Sequence, residues 1–204
     1  MVTARRKAPQ ARYDDLIGAA RKVFLEKGLA KATVSDIVRA AGVAQGTFYL
    51  YFATKDDVVN ALAERMVEEM VSVMEAATAA AESGALAKLA ALRDAIVDMI
   101  ETPGTGELAE VYHRPENRAV HERMAERMTT RLATLVEGII SEGVGEGVFS
   151  VEDQRVAAWF IVGGLRMIDV GFTDMAELPA AIDAAMACAL RTLGATAQLP
   201  AYRP

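Results

Sequence analysis

The sequence predicts an all-α protein in which a small three-helix unit precedes a larger helical domain. Helix caps and glycine turns recur along the 204 residues. Apolar side chains repeat at helical spacing beyond residue 55, and no strand pattern accompanies them. We place the domain boundary after residue 54, which gives domains 1–54 and 55–204.

Two short predicted helices meet at a glycine turn. Thr33 stands three residues before Asp36 and forms a carboxylate version of the capping box that opens the first helix. Gly42 follows the last apolar position and can take the left-handed conformation that ends a helix. Thr54 and Asp57 repeat the capping box and open a long helix. This layout is typical of a helix-turn-helix unit.

The second short helix, residues 44–52, has one face to bury and another to use. Phe48 and Phe52 are four residues apart, so they share a face and are predicted to seal the core. The remaining face suits duplex DNA, because helix N-terminal residues reach base edges while flanking groups hold phosphates. The candidate DNA-binding residues are Thr33, Ser35, Gln45, Gly46, Thr47, Tyr49, Tyr51 and Lys55.

These candidates also have a purely structural interpretation. Tyr49 and Tyr51 fit an aromatic core, or a packed ring whose hydroxyl reaches a phosphate. Gln45 and Thr47 have little structural reason to matter unless something docks there. On DNA, Gln45 suits adenine and Thr47 suits a base edge or a thymine methyl.

Charge is divided unevenly along the chain. The whole chain carries −6, but residues 1–57 hold 10 Lys and Arg against 6 Asp and Glu, a net charge of +4. The remainder is acidic, at −10. The N-terminal part therefore suits phosphate while the rest is repelled by it. The basic arm before the first helix fits two roles, contact with DNA or a disordered solubilising tail; it contains Arg5, Arg6, Lys7 and Arg12.

Residues 12–60 resemble the DNA-binding domain of TetR-family transcriptional regulators. The resemblance rests on Ala20, Phe24, Gly28, Thr33, Ile37, Ala41, Gly42, Val43, the run Gly46-Thr47-Phe48-Tyr49, Tyr51-Phe52 and Lys55. Two positions depart from the family pattern. Ala44 stands where Ser or Thr often caps the recognition helix, and Leu50 stands where a polar residue is common. The resemblance implies a repressor that leaves a near-palindromic operator when a small apolar molecule binds the C-terminal domain.

The larger domain is predicted to be helical throughout. Ser150 and Asp153 form a third capping box, and the glycines at 143, 145 and 147 predict a flexible turn. Residues 195–204 are expected to be loosely ordered. The predicted helices span residues 55–81, 85–101, 107–113, 116–143, 150–170 and 179–194.

Methionine is concentrated in this domain. Nine of the ten methionines lie beyond residue 57. Methionine adapts to apolar ligands, and it equally fills gaps in a helical core. The resemblance implies an effector pocket here, with His113 and His121 either as polar contacts or as ordinary surface residues. The candidate ligand-binding residues are Met70, Met74, Ile96, Met99, Tyr112, Met124, Met128, Trp159, Phe160 and Met167.

The last two helices are rich in small and apolar residues. Such helices need cover, either inside the monomer or from a second chain. The resemblance implies that they pair with a second subunit, so we predict a two-fold homodimer. The candidate interface residues are Gly163, Gly164, Ile182, Met186, Leu190 and Leu193.

Other classes of protein fit the sequence less well. An all-helical enzyme would need His113 and His121, but they lack a metal-binding spacing and no nucleophile motif accompanies them. An architectural DNA-binding protein without a ligand would leave the acidic, Met-rich domain unexplained. A single cysteine, Cys188, and the absence of a membrane-length apolar run or a signal segment favour the cytoplasm. We predict no catalytic residue, metal or cofactor.

Overall fold

The computed structural model describes residues 8–101, 118–171, 176–199 and 202. Within these ranges the chain forms helices and their connections, without a strand, which confirms the predicted all-α class. The helices are α1 (Pro9–Lys27), α2 (Val34–Ala41), α3 (Gln45–Tyr49), α4 (Lys55–Ala80), α5 (Ala85–Glu101), α6 (Arg118–Gly145), α7 (Gln154–Gly171) and α8 (Leu178–Thr192). The predicted helix 107–113, with Tyr112 and His113, lies outside the described residues. None of the helices described is long and apolar enough to cross a membrane.

The chain divides into two compact units. Of the described residues, the first unit contains those up to Met66 and residues 118–124, and the second contains the others. This boundary lies beyond the predicted one at residue 54. The reason is that the start of α4 belongs to the first core, where Val58, Val59 and Leu62 are buried.

The first unit is built around α1, which packs along α2. Its core contains Leu16, Phe24, Ile37 and Phe48, each almost completely buried. The short helix α3 is held because Phe48 occupies this core, and burying so large a side chain stabilises the unit by about 2–3 kcal/mol.

The second unit is a helical bundle in which α8 packs against both α5 and α7. Its core contains Leu92, Val136, Ile140 and Leu193. These residues come from α5, α6 and the end of α8, so apolar faces of distant parts of the chain form one core.

The connection between α6 and α7 differs from its prediction. Gly143 is helical rather than part of a flexible turn, and a Cβ there would overlap the ring of Phe149. The amide of Ser150 donates to the carbonyl of Leu193 at 2.8 Å. Asp153 alone accepts from the amide of Val156, at 2.9 Å, so the predicted capping role of Ser150 is wrong.

The C-terminal tail is docked where the structure describes it, contrary to the loosely ordered tail that was predicted. Leu199 is partly buried against the second core. The phenol oxygen of Tyr202 lies 2.6 Å from a carboxylate oxygen of Asp98 and 3.1 Å from one of Glu101. The hydrogen bond to Asp98, with burial and the second carboxylate, raises the pKa of Tyr202 above its ordinary value.

Candidate nucleic-acid interface

The start of α2 carries the predicted capping box. The hydroxyl of Thr33 accepts from the amide of Asp36 at 3.1 Å. The Asp36 carboxylate in turn accepts from the Thr33 amide at 3.2 Å and from its hydroxyl at 2.8 Å. The hydroxyl has only one proton to donate, and it donates that proton to Asp36. The Thr33 hydroxyl therefore has no donor left for a phosphate. Ser35 is exposed in the first turn of the same helix.

An ion pair fastens α1 to α2 beside this cap. The ammonium of Lys27 donates to Asp36 at 2.6 Å, and Arg39 lies 3.5 Å from the same oxygen. The hydrogen bond from Lys27, followed by that from Thr33, lowers the pKa of Asp36 to about 2. The carboxylate therefore stays ionised and the two helices stay joined across the neutral pH range.

The turn between α2 and α3 is set by glycine. Gly42 has φ +64° and ψ +37°, the left-handed conformation that was predicted. The amide of Val43 then donates to the carbonyl of Val38 at 3.0 Å, which closes the end of α2. The chain reverses sharply there and α3 begins two residues later.

Aromatic rings form the base on which α3 rests. Phe48 and Phe52 are buried with their ring centroids 5.5 Å apart, as predicted from their spacing. Tyr13 of α1 stacks on Phe52 at 5.2 Å. Tyr51 is partly buried against the same core. These contacts fix the orientation of α3 without using its outer face.

The outer face of α3 is open to solvent. Gln45 and Gly46 are exposed, and a Cβ at Gly46 would meet nothing within 4 Å. Thr47 is half-buried, and Tyr49 is 53% exposed although its ring makes a T-shaped contact with that of Phe48. The face therefore presents an amide, a hydroxyl and a phenol on a rigid base, a set that can donate to and accept from base edges and phosphates.

Lys55 has a different role from the predicted one. Its ammonium donates to the carbonyl of Leu29 at 2.8 Å and to that of Ala32 at 3.2 Å. These bonds tie the start of α4 to the loop before α2. The neighbouring capping box is confirmed, since the Asp57 carboxylate accepts from the Thr54 amide at 2.8 Å.

The candidate ligand-binding residues divide into three groups. Met74 is buried in the second unit, while Met70, Ile96, Met99 and Met128 are partly buried there. Met124 instead packs against the first core. The third group is exposed and does not line the interior of the second unit: exposed fractions are 42% for Trp159, 69% for Phe160 and 64% for Met167.

The candidate dimer residues divide in a similar way. Gly163 and Gly164 border open space, since a Cβ at either would meet nothing within 4 Å. The four apolar residues predicted on the last helix are buried within their own unit, which contradicts their assignment to a dimer surface: Ile182, Met186, Leu190 and Leu193.

An exposed apolar strip runs along α7, and the sequence analysis did not predict it as a surface. It contains Val156, Trp159, Phe160 and Met167, all exposed, and the two glycines lie along it. The side chains recur at intervals of three, four and seven residues, so they share one helix face. That spacing was readable in the sequence, but the opposite face of α7 is also apolar. The outward face of α8 is lined with small residues, including Ala180, Ala184 and Ala187.

The described residues bring together no group of three or more His, Cys, Asp or Glu side chains that would hold a metal ion. The candidate site is the exposed surface of α3, which α1 and α2 support. This helix-turn-helix unit and the separate helical bundle of the second unit define the class of protein: a helix-turn-helix DNA-binding protein with an additional helical domain.

Comparison with known proteins specifies this class. Residues 16–62 match the family described as bacterial regulatory proteins, tetR family. The regulator YvdT of Bacillus subtilis is 49% identical over 61 residues, which is 30% of this chain and 31% of YvdT. The matched segment thus spans about a third of the curated relatives' length.

Solved structures extend the likeness to most of the chain. The fatty acid degradation regulator FadR of Bacillus halodurans is 28% identical, with a TM-score of 0.67, over 91% of this chain and 97% of that one. FadR of Bacillus subtilis, solved with stearoyl-CoA, is 25% identical with a TM-score of 0.65, over 88% and 98% of the two chains. Residues 16–62 thus form a tetR-family DNA-binding domain, and the fold of nearly the whole chain is similar to that of the solved FadR regulators.

Proposed function

We propose that the protein is a ligand-responsive transcriptional repressor that acts on duplex DNA in the cytoplasm. The observation that carries this proposal is the outer face of α3, which is exposed to solvent, carries the amide of Gln45 and the phenol of Tyr49, and is supported by Phe48 and Phe52. A helix held in this way can enter a major groove without rearranging the unit. The net charge of +4 on residues 1–57 favours the approach to phosphate.

The contacts follow from the position of each side chain. Gln45, at the start of α3, pairs with adenine through its amide, and Thr47 reaches a neighbouring base edge. The hydroxyls of Tyr49 and Tyr51 meet phosphates, as does Ser35 at the start of α2. Gly46 lets the backbone come close to the bases.

Thr33 and Lys55 support the DNA-binding surface on α3 without touching the DNA. Thr33 holds the start of α2 through its bonds with Asp36. Lys55 holds the loop before α2 against the start of α4. Their contribution is the placement of the reading surface, and neither is assigned a phosphate.

We also propose that the protein acts as a two-fold homodimer. The apolar strip on α7 and the small residues on α8 supply an exposed surface that a second copy can cover, with the same patch on each subunit. The open space at Gly163 and Gly164 allows close approach of a second helix. Two copies of α3 then face half-sites about 34–36 Å apart, or a multiple of that distance.

The effector in this proposal is an apolar molecule bound by the second unit, near Met74 and its partly buried neighbours. Long-chain acyl thioesters are the first class to test, because the similar FadR of Bacillus subtilis was solved with stearoyl-CoA. Helix α4 belongs to both units, so a ligand that shifts α4 changes the placement of α3. Ligand and DNA then oppose each other through one reciprocal coupling free energy.

The test is a binding titration with duplexes selected from a random library by the full chain. Tyr49→Ala should weaken binding at least tenfold while leaving the helical signal unchanged. Tyr202→Phe is the matched control, because its ring is at the opposite end of the sequence, in the second unit. Equal affinity of wild type and Tyr49→Ala for the selected duplex would remove the assigned role of α3.

The effector is tested on the same duplex. Stearoyl-CoA should release the protein, and coenzyme A without the acyl chain should not. DNA binding that no apolar compound affects would favour an architectural protein over a ligand-responsive regulator.

A further inference from the structure

Leu50 is an exposed leucine at the end of the reading helix. It is 81% exposed, more than any other large apolar side chain that the structure describes. It caps α3 with helical backbone angles, φ −74° and ψ −20°. Its amide donates to the carbonyl of Thr47 at 3.3 Å, so the residue continues the helix geometry. A single exposed leucine is ordinary on a protein surface, and the position of this one is what matters.

Leu50 lies on the face of α3 that points away from the protein. At 100° per residue, side chains four apart share a face, whereas side chains two apart lie on nearly opposite faces. Leu50 therefore shares a face with Gly46, which borders open space. Phe48, two residues from each, is completely buried on the other side. The isobutyl group stands one turn from the glycine, at the C-terminal end of the exposed face of α3.

The chemistry of the groove determines what such a group can recognise. The major-groove edges of G, C and A present hydrogen-bonding groups, and thymine adds a C5 methyl. Leucine set against a donor or acceptor would leave that group without water and without a partner, which is unfavourable. Against a thymine methyl, it removes apolar surface from water on both sides.

We propose that Leu50 is a specificity-determining residue that reads the C5 methyl of a thymine in each half-site. This rests on the proposed function, since it assumes that α3 lies in a major groove. It assigns a base to a position where the family pattern commonly has a polar residue. Apolar readout at this position accompanies the polar readout by Gln45 and Thr47.

The experiment removes single thymine methyl groups from the DNA. Duplexes are first selected from a random library by the full wild-type chain, and each thymine in the best duplex is then exchanged for uracil, which lacks only that methyl. We expect one thymine per half-site whose exchange weakens binding about fourfold, the effect of one buried carbon. Leu50→Ala should bind thymine and uracil equally at that position. Leu50→Met should keep the preference.

Leu25→Ala is the matched control, because Leu25 is another exposed leucine of the first unit, on α1. It should keep the fourfold preference for thymine. Thermal unfolding of each variant separates loss of recognition from loss of folding.

The outcomes are distinguishable. If wild type enriches a sequence but no thymine-to-uracil exchange matters, or if the preference persists in Leu50→Ala, the inference is wrong and DNA binding stands. If Leu50→Ala weakens binding to all sequences alike, Leu50 contacts the sugar-phosphate backbone and the inference is again wrong. If wild type enriches no sequence, the proposed function fails together with it.

Discussion

Gly143 shows how a single residue fixes a long-range contact in the second unit. A Cβ at this position would overlap the ring of Phe149 and lie 2.9 Å from the Cβ of Ala85. The absence of a side chain lets Phe149 cover the end of α6 and pack in the core. From the sequence, this glycine was predicted to be a turn residue. Its packing role could not be predicted, because Phe149, whose ring occupies the space beside it, lies beyond the end of α6.

Gly143→Ala should lower the free energy of unfolding by about 1–3 kcal/mol, because the added methyl forces Phe149 out of place. Gly138→Ala is the control on the same helix, since a Cβ there meets nothing within 4 Å. That change should raise stability by up to about 1 kcal/mol through helix propensity. Urea unfolding followed by circular dichroism measures both, and equal effects at the two glycines would contradict the packing role.

Lys55→Met should destabilise the first unit by about 1–3 kcal/mol, because two carbonyls lose a charged donor. The salt dependence of DNA binding should keep its slope, since the ammonium is occupied by the loop. A slope of the salt dependence that falls by about one, with unchanged stability, would show instead that Lys55 contacts a phosphate.

The pH dependence of stability should carry the signature of Asp36. Its pKa is lowered to about 2 in the folded state, so the carboxylate contributes stability that is complete above its unfolded value near 3.9. That contribution is lost as the pH falls toward 2. Asp36→Asn should therefore flatten the change of unfolding midpoint between pH 4 and 2, and Lys27→Met should flatten it partly. An unchanged acid profile in both variants would contradict the assignment.

At the scale of elements, the sequence predicted those helix caps whose partners are close together in the chain. The capping boxes of Thr33 with Asp36 and of Thr54 with Asp57 form as predicted, because each is complete within four residues. The third, Ser150 with Asp153, failed because the Ser150 amide is drawn to Leu193, more than 40 residues away. Local chemistry could not reveal that competition.

The two faces of α7 mark the limit of this reasoning for the candidate site. Ile161 and Val162 are buried, whereas Trp159 and Phe160 are exposed. Both pairs are apolar, so hydropathy does not distinguish the face that packs inside the unit from the face left for a partner. Only the packing of α8 against α7 and α5 decides it.

Phe160→Glu should convert the proposed dimer into a monomer, because it places a charge in the centre of an apolar interface. Val73→Glu is the control, since Val73 is another exposed apolar side chain, on α4. It should leave the assembly intact. Analytical ultracentrifugation at micromolar concentration distinguishes the two. A wild-type monomer, or a Phe160→Glu dimer, would reject the α7 surface.

At the scale of the whole molecule, the two units share continuous helices. Helices α4 and α6 each contribute to both cores, so the proposed effector signal has a covalent route to the reading surface. The division of charge along the chain is consistent with DNA binding through α3, because the part that carries α3 is positive and the remainder is negative. An acidic protein can bind DNA in this way because only its basic part approaches phosphate.

The most direct test of this account is selection of duplexes from a random library by the full chain, followed by sequencing. We predict an enriched near-palindrome whose half-site centres are about 34–36 Å apart, or a multiple of that spacing, and no such enrichment by Tyr49→Ala. Enrichment of no sequence, or of one without two-fold symmetry, would contradict the claim that a dimer reads DNA through α3.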